Sequence, residues 1–194
     1  MSSTAQMIKS MFRGELEVSN KVSDKTIALP AKIYAGFGQI AAKLRTFLIP
    51  GKSKEATLRD LLEKFRTSSS PAIKAAYETL IRDVGPVLEK REGIEKAADL
   101  VRQKTEEDRE KTYKSFKSVA RAKDPLSQEN KNEVDKAEKT WASANTELKK
   151  LEEKLNQNDL QIAACLATTQ RITELLPDHA KSALSQVQAA TQRH

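Results

Sequence analysis

The sequence predicts an all-α protein organised on a long antiparallel helical hairpin. Two observations carry that prediction. From Pro71 onward, apolar or small residues recur at alternating steps of four and three: Ile73, Tyr77, Leu80, Val84, Val87, Ile94, Ala98 and Val101, with Val119 still in register. Beyond a short break at Ala122-Lys123-Asp124-Pro125 the repeat resumes through Val134, Ala137, Trp141, Ala144, Leu148, Leu151, Leu155, Ile162, Cys165, Ile172 and Leu176. A stripe sustained in heptad steps marks helices that wind along a partner. At 1.5 Å per residue each arm would span roughly 75 Å if straight.

The hairpin, about residues 71–176, is expected to turn near residue 124, where Asp124 suits an N-cap and Pro125 a first helical position. Its stripe carries polar exceptions. Arg91, Thr105, Asp108, Thr112 and Ser115 fall in register on the first arm, with Phe116 beside it, and Asn158 and Thr169 interrupt the second. Gly85-Pro86 predicts a bend in the first arm, because proline removes a hydrogen bond and crowds the preceding turn. Counted from the turn, that site lies at a similar depth to Asn156-Gln157-Asn158.

Ahead of the hairpin, residues 15–49 read as a weaker helical region interrupted at Pro30. Its apolar face is Ile33, Phe37, Ile40, Ala41, Leu44, Phe47 and Leu48. Pro50-Gly51 closes it. Ser53 can then cap a short helix bearing Leu58, Leu61, Leu62 and Phe65, and Ser68-Ser69-Ser70-Pro71 turns into the first arm. After Pro177 the register goes on through Ala180, Ala183, Val187 and Ala190, as a continuing helix with a second kink. Residues 1–14 form a separate segment. Met7, Ile8, Met11 and Phe12 group on one side of a helix with Lys9 and Arg13 at its edges, a pattern suited to insertion in a lipid interface.

Composition bounds the partners. Of 194 residues, 31% are charged and 5% aromatic, which suits narrow apolar seams better than a thick core. Extended hairpins bury little surface alone, so a homodimer is expected. The 34 lysines and arginines against 27 acids leave a net charge of +7, which favours an anionic partner. The basic residues concentrate near the turn, where Lys111, Lys114, Lys117, Arg121 and Lys123 occur with no acid between them. Lys131 adds to them on the returning arm. The first four gather on the side of the helix away from Thr112, Phe116 and Val119. Several lysines near an anionic leaflet give useful affinity, at about 1 kcal/mol each. Nucleic acid is not expected, since only Tyr113 and Phe116 stand near the cluster for stacking on bases.

Catalysis is not expected either. Gly36-Phe37-Gly38 with Ala41 fits a loose G-x-G-x-x-A form, but a dinucleotide loop needs a strand before it and this context is helical. Gly51-Lys52-Ser53 resembles the end of a phosphate-binding loop, yet Thr46 stands where its glycine is required. His179, His194 and Cys165 are too few and too far apart for a zinc site or a nucleophile–base pair. No metal or cofactor is expected. Cys165 reads as a small core residue, fitting a reducing cytoplasm. No apolar run approaches the roughly 18 residues of a membrane span, and the first residues lack a secretory core. The expected location is cytoplasmic, peripheral on membranes.

These features together resemble a BAR domain, the membrane-curvature module of amphiphysin-like and endophilin-like proteins. The likeness is carried by Tyr77-Glu78-Thr79-Leu80, Gly85-Pro86-Val87, Gly93-Ile94-Glu95-Lys96, Tyr113-Lys114-Ser115-Phe116, the turn Arg121-Ala122-Lys123-Asp124-Pro125, Val134-Asp135-Lys136-Ala137-Glu138 and Glu147-Leu148-Lys149-Lys150-Leu151. It covers about residues 70–176. Where many members carry an LVDYD-like run, this chain has Leu100-Val101-Arg102-Gln103-Lys104, and the family's long first helix would have to pass Pro30. The resemblance implies an elongated three-helix antiparallel coiled coil over residues 15–194 that pairs into a crescent-shaped dimer. It further implies that anionic membrane is bound by basic residues of the concave face and the tips, with residues 1–14 as an inserting helix. A plain coiled-coil spacer or adaptor without lipid binding is the alternative.

Overall fold

The computed structural model describes residues 24–48, 54–121 and 127–191. They form five helices and, among the described residues, no strand: α1 (Asp24–Phe47), α2 (Lys54–Thr67), α3 (Pro71–Arg121), α4 (Gln128–Leu175) and α5 (Asp178–Thr191). The chain divides into two compact units. The first holds α1, α3 from Ala97 and α4 up to Leu151; the second holds α2, α3 up to Lys96, the rest of α4, and α5. Met7, Ile8, Met11, Phe12, Lys123 and the expected Asp124-Pro125 cap lie outside the described residues.

Two expectations at helix ends, at Pro30 and at Pro177, are corrected. Helix α1 runs through Pro30 instead of stopping there. Proline costs that helix one hydrogen bond, but the face that follows is sealed: Ile33, Phe37 and Leu44 are 0% exposed, and Ile40 and Ala41 at most 4%. Helix α4 starts at Gln128. Ser127 caps it, its Oγ accepting the Asn130 N–H at 3.3 Å, with Glu129 in the first turn where the helix dipole favours an acid. At Pro177 the chain makes two helices and not one kinked helix. Pro177 lacks the N–H needed to continue α4, and its carbonyl instead accepts the N–H groups of Ala180 at 2.8 Å and Lys181 at 3.0 Å to open α5.

Pro86, in contrast, lies inside an unbroken α3. Asn158 of α4 is 0% exposed and donates from Nδ2 to the Val87 carbonyl at 3.0 Å, so the two interruptions noted in the sequence meet. Thr169, the other polar residue of that stripe, is also fully buried and turns its hydroxyl back to the Cys165 carbonyl at 2.8 Å.

In the second unit, α2 supplies Leu58, Leu62 and Phe65 to a core shared with Ile73, Leu80, Val84 and Leu88 of α3, Ile162 of α4, and Ala180 and Leu184 of α5. At one border of that core Arg91, its side chain 12% exposed, reaches Asp159 at 2.6 Å, Glu95 at 3.1 Å and Glu55 at 3.3 Å. A guanidinium set this deep needs its carboxylates, because removing it from water is otherwise costly. In the first unit α1 runs antiparallel to α3, as three contacts show. Tyr34 packs against Tyr113 with ring centroids 5.7 Å apart and the rings tilted by 46°, Gly38 faces Arg109, and Arg45 bonds Glu106 at 2.6 Å. Gly36 of α1 lies against the Trp141 indole of α4.

Candidate functional site

The basic residues singled out in the sequence lie on the first unit. Lys111 and Lys114 have side chains 73% exposed, and Lys131 is exposed on α4. Lys117 is half-buried. Arg121 ends α3, its side chain outside the description along with Lys123. The hydrogen bond from Ser115 Oγ to Glu133 at 3.0 Å sets α4 beside α3 at this level, which puts Lys131 in the same neighbourhood as Lys114 and Lys117. On the opposite side of α3, Thr112 is 6% and Phe116 5% exposed, as their register positions predict.

The lysines are not isolated from acid, although no acid separates them in sequence. Asp108 lies 3.7 Å from Lys111 and Glu110 lies 3.5 Å from Lys114, each about one turn back on α3. A shallow open depression continues in that direction, lined by Gln103, Glu106, Glu107 and Glu110 with the two lysines at its end. Pairs this long and this exposed contribute little and exchange readily for another anion. The basic cluster therefore begins where a mixed surface ends.

Charge is distributed unevenly between the units. Among the described residues, the first carries sixteen lysines and arginines against eleven acids, an excess of five positive charges. The second carries twelve against thirteen, an excess of one negative charge. This partition follows the chain's fold and not its order in sequence, since each unit is assembled from separate stretches.

Other sequence motifs acquire structural roles. Gly36 and Gly38 lie inside α1, where a Cβ would strike the Trp141 ring and come within 3.2 Å of the Arg109 guanidinium. The glycines permit close helix packing, and no phosphate loop forms at that position. Arg109, which sequence reasoning passed over, lies 4.2 Å from the Tyr34 ring centroid, a favourable cation–π distance. Its Nε is buried without a hydrogen-bond partner, so the ring face is its main compensation. The signal was its place one residue past the seam position Asp108. Cys165 is half-buried, and burial, with Asp83 adding, pushes its thiol above the ordinary value. It is thus poorly suited to act as a nucleophile. Among the described residues, no helix is long and apolar enough to cross a membrane.

No family model, no curated protein and no solved structure matches this chain.

Proposed function

We propose that this chain is a non-enzymatic, peripheral membrane-binding scaffold of the BAR type. As a curved antiparallel homodimer on the cytoplasmic side, it binds, senses or bends anionic phospholipid membranes. The observation that carries this reading is the segregation of charge. Among the described residues, an excess of five positive charges lies on the unit that presents Lys111, Lys114 and Lys131, while the other unit is near balance. A surface of that kind attracts anionic headgroups over a distance of about a Debye length. Residues 1–14 would add an apolar wedge through Met7, Ile8, Met11 and Phe12.

The second reading, a coiled-coil adaptor without lipid binding, is favoured by Asp108 and Glu110, which engage Lys111 and Lys114. Liposome co-sedimentation separates the two. Wild type and Lys111→Glu/Lys114→Glu/Lys117→Glu are compared on neutral and anionic vesicles at low and moderate salt. The scaffold requires binding to anionic vesicles that both salt and the triple variant weaken, by at least tenfold at about 1 kcal/mol per charge. Wild type that stays in the supernatant with every vesicle leaves the adaptor.

A further inference from the structure

Apolar and small residues recur on two sides of helix α4 in the second unit. One side faces the core through Asn158, Ile162, Cys165 and Thr169. On the other lie Leu160, Ala164, Ala167, Arg171 and Leu175, which at 100° per residue fall within a narrow sector. All five are exposed, Leu160 at 73% and Leu175 at 77%, and they include two of the four large apolar side chains exposed among the described residues. A helix with apolar residues on both sides is normally covered on both.

We propose that a second copy of this chain covers this stripe, α4 against α4, antiparallel, about a two-fold axis near Ala167 and Thr168. The inference rests on the homodimer reading and names its interface. Three observations select this occupant. First, the stripe is self-complementary. The leucines are fifteen residues apart, about 22 Å along a helix; of the three stripe residues between them two are alanine, and Arg171 falls opposite Ala164 of the other copy. An axis at the midpoint therefore sets Leu160 of each copy on Leu175 of the other, with Ala167 and Thr168 where the backbones approach most closely. An isologous contact requires such a pattern.

Second, the second unit is near charge balance, so two copies meet there with little net repulsion, whereas the basic first unit opposes its like. Third, this part of α4 disfavours the membrane as occupant. From Glu152 to Leu175 it carries Glu152, Glu153, Asp159 and Glu174 against only Lys154 and Arg171. Helices that lie on anionic membranes carry the opposite excess.

Sedimentation velocity on the full chain tests the assignment with wild type, Leu160→Glu/Leu175→Glu, and Leu100→Glu as a control at an exposed leucine of the first unit. Wild type and the control are expected to be dimeric at micromolar concentration. The double variant should dissociate at least a hundredfold more readily with its helical circular dichroism unchanged. A dimer that survives the double substitution overturns this interface and leaves the homodimer reading standing. A wild type that is monomeric throughout overturns both. Disulfide trapping gives a second readout that does not depend on how the charged variant folds. In a Cys165→Ser background, Leu160→Cys/Leu175→Cys should form covalent dimers on mild oxidation, since about 22 Å separates the two sites within one chain. The absence of such dimers would refute the antiparallel pairing.

Discussion

Gly36 of α1 lies directly against the indole of Trp141 in α4, leaving no room for a β-carbon. That contact explains a glycine at the centre of a helix, where it costs about 1 kcal/mol relative to alanine. Gly93 of α3 is also helical, but a Cβ there would meet nothing within 4 Å. The two positions should respond oppositely. Gly36→Ala is expected to destabilise by about 1–2 kcal/mol, overpacking outweighing the propensity gain. Gly93→Ala should stabilise by about 0.5–1 kcal/mol. Thermal melts followed by circular dichroism would reveal the difference, and equal shifts would contradict the packing at Gly36.

Asn158 has its Nδ2 satisfied by the Val87 carbonyl, but its Oδ1 is buried without a donor. Replacement by leucine removes that unsatisfied oxygen, and Val87 keeps its helical hydrogen bond. Asn158→Leu should therefore be neutral or stabilising by about 1 kcal/mol. Asn158→Asp should cost about 3 kcal/mol at neutral pH, because a carboxylate would be placed in a fully buried site. Burial raises the folded-state pKa of such an acid, so the loss should shrink as pH falls through it. Denaturant titrations at pH 7 and pH 5 would measure both effects. A pH-independent penalty would argue that the site admits water.

Arg91 holds carboxylates from three helices: Glu55 of α2, Glu95 of its own helix and Asp159 of α4. Arg91→Met keeps the apolar stem and leaves the acids without their common cation, Glu55 being only 15% exposed. Destabilisation of about 2 kcal/mol is expected, and well under 1 kcal/mol for Glu95→Gln on the more exposed side. Urea unfolding gives the comparison. Equal effects would show that Arg91 is solvated like any surface arginine.

The Arg45 guanidinium, hydrogen-bonded to Glu106, holds that carboxyl below its ordinary value; Arg102 adds to the effect and partial burial opposes it. A depressed folded pKa means stability present above the unfolded pKa and lost as pH falls through the folded one. Arg45→Ala should lower Tm by about 1–2 °C at pH 7, a loss of about 0.5 kcal/mol at this exposure. The gap to wild type should close below about pH 4. A gap that persists at pH 3 would point to lost packing by the arginine stem instead.

The helices themselves were legible because heptad spacing is a local property of the chain. Ile73 to Ala98 and Leu148 to Leu176 were read from periodicity, and their burial follows the same positions. Even the polar exceptions were visible as exceptions: Arg91, Thr105, Thr112, Asn158 and Thr169 stood in register and are deeply set. Helix ends were read less well. Proline stops a helix at Pro177 but not at Pro30 or Pro86, because packing elsewhere decides whether one lost hydrogen bond is tolerated.

What the sequence by itself determined is the class of the protein, its helical register and the basic run from Lys111 to Lys123, since each depends only on spacing along the chain. The tertiary structure decided what the exceptions do. It set Gly36 under Trp141, Arg109 on Tyr34 and Asn158 on Val87, and it gathered distant stretches into one basic unit and one near charge balance. Those pairings join residues up to about a hundred positions apart, and periodicity along a single helix says which face is buried but not what lies against it.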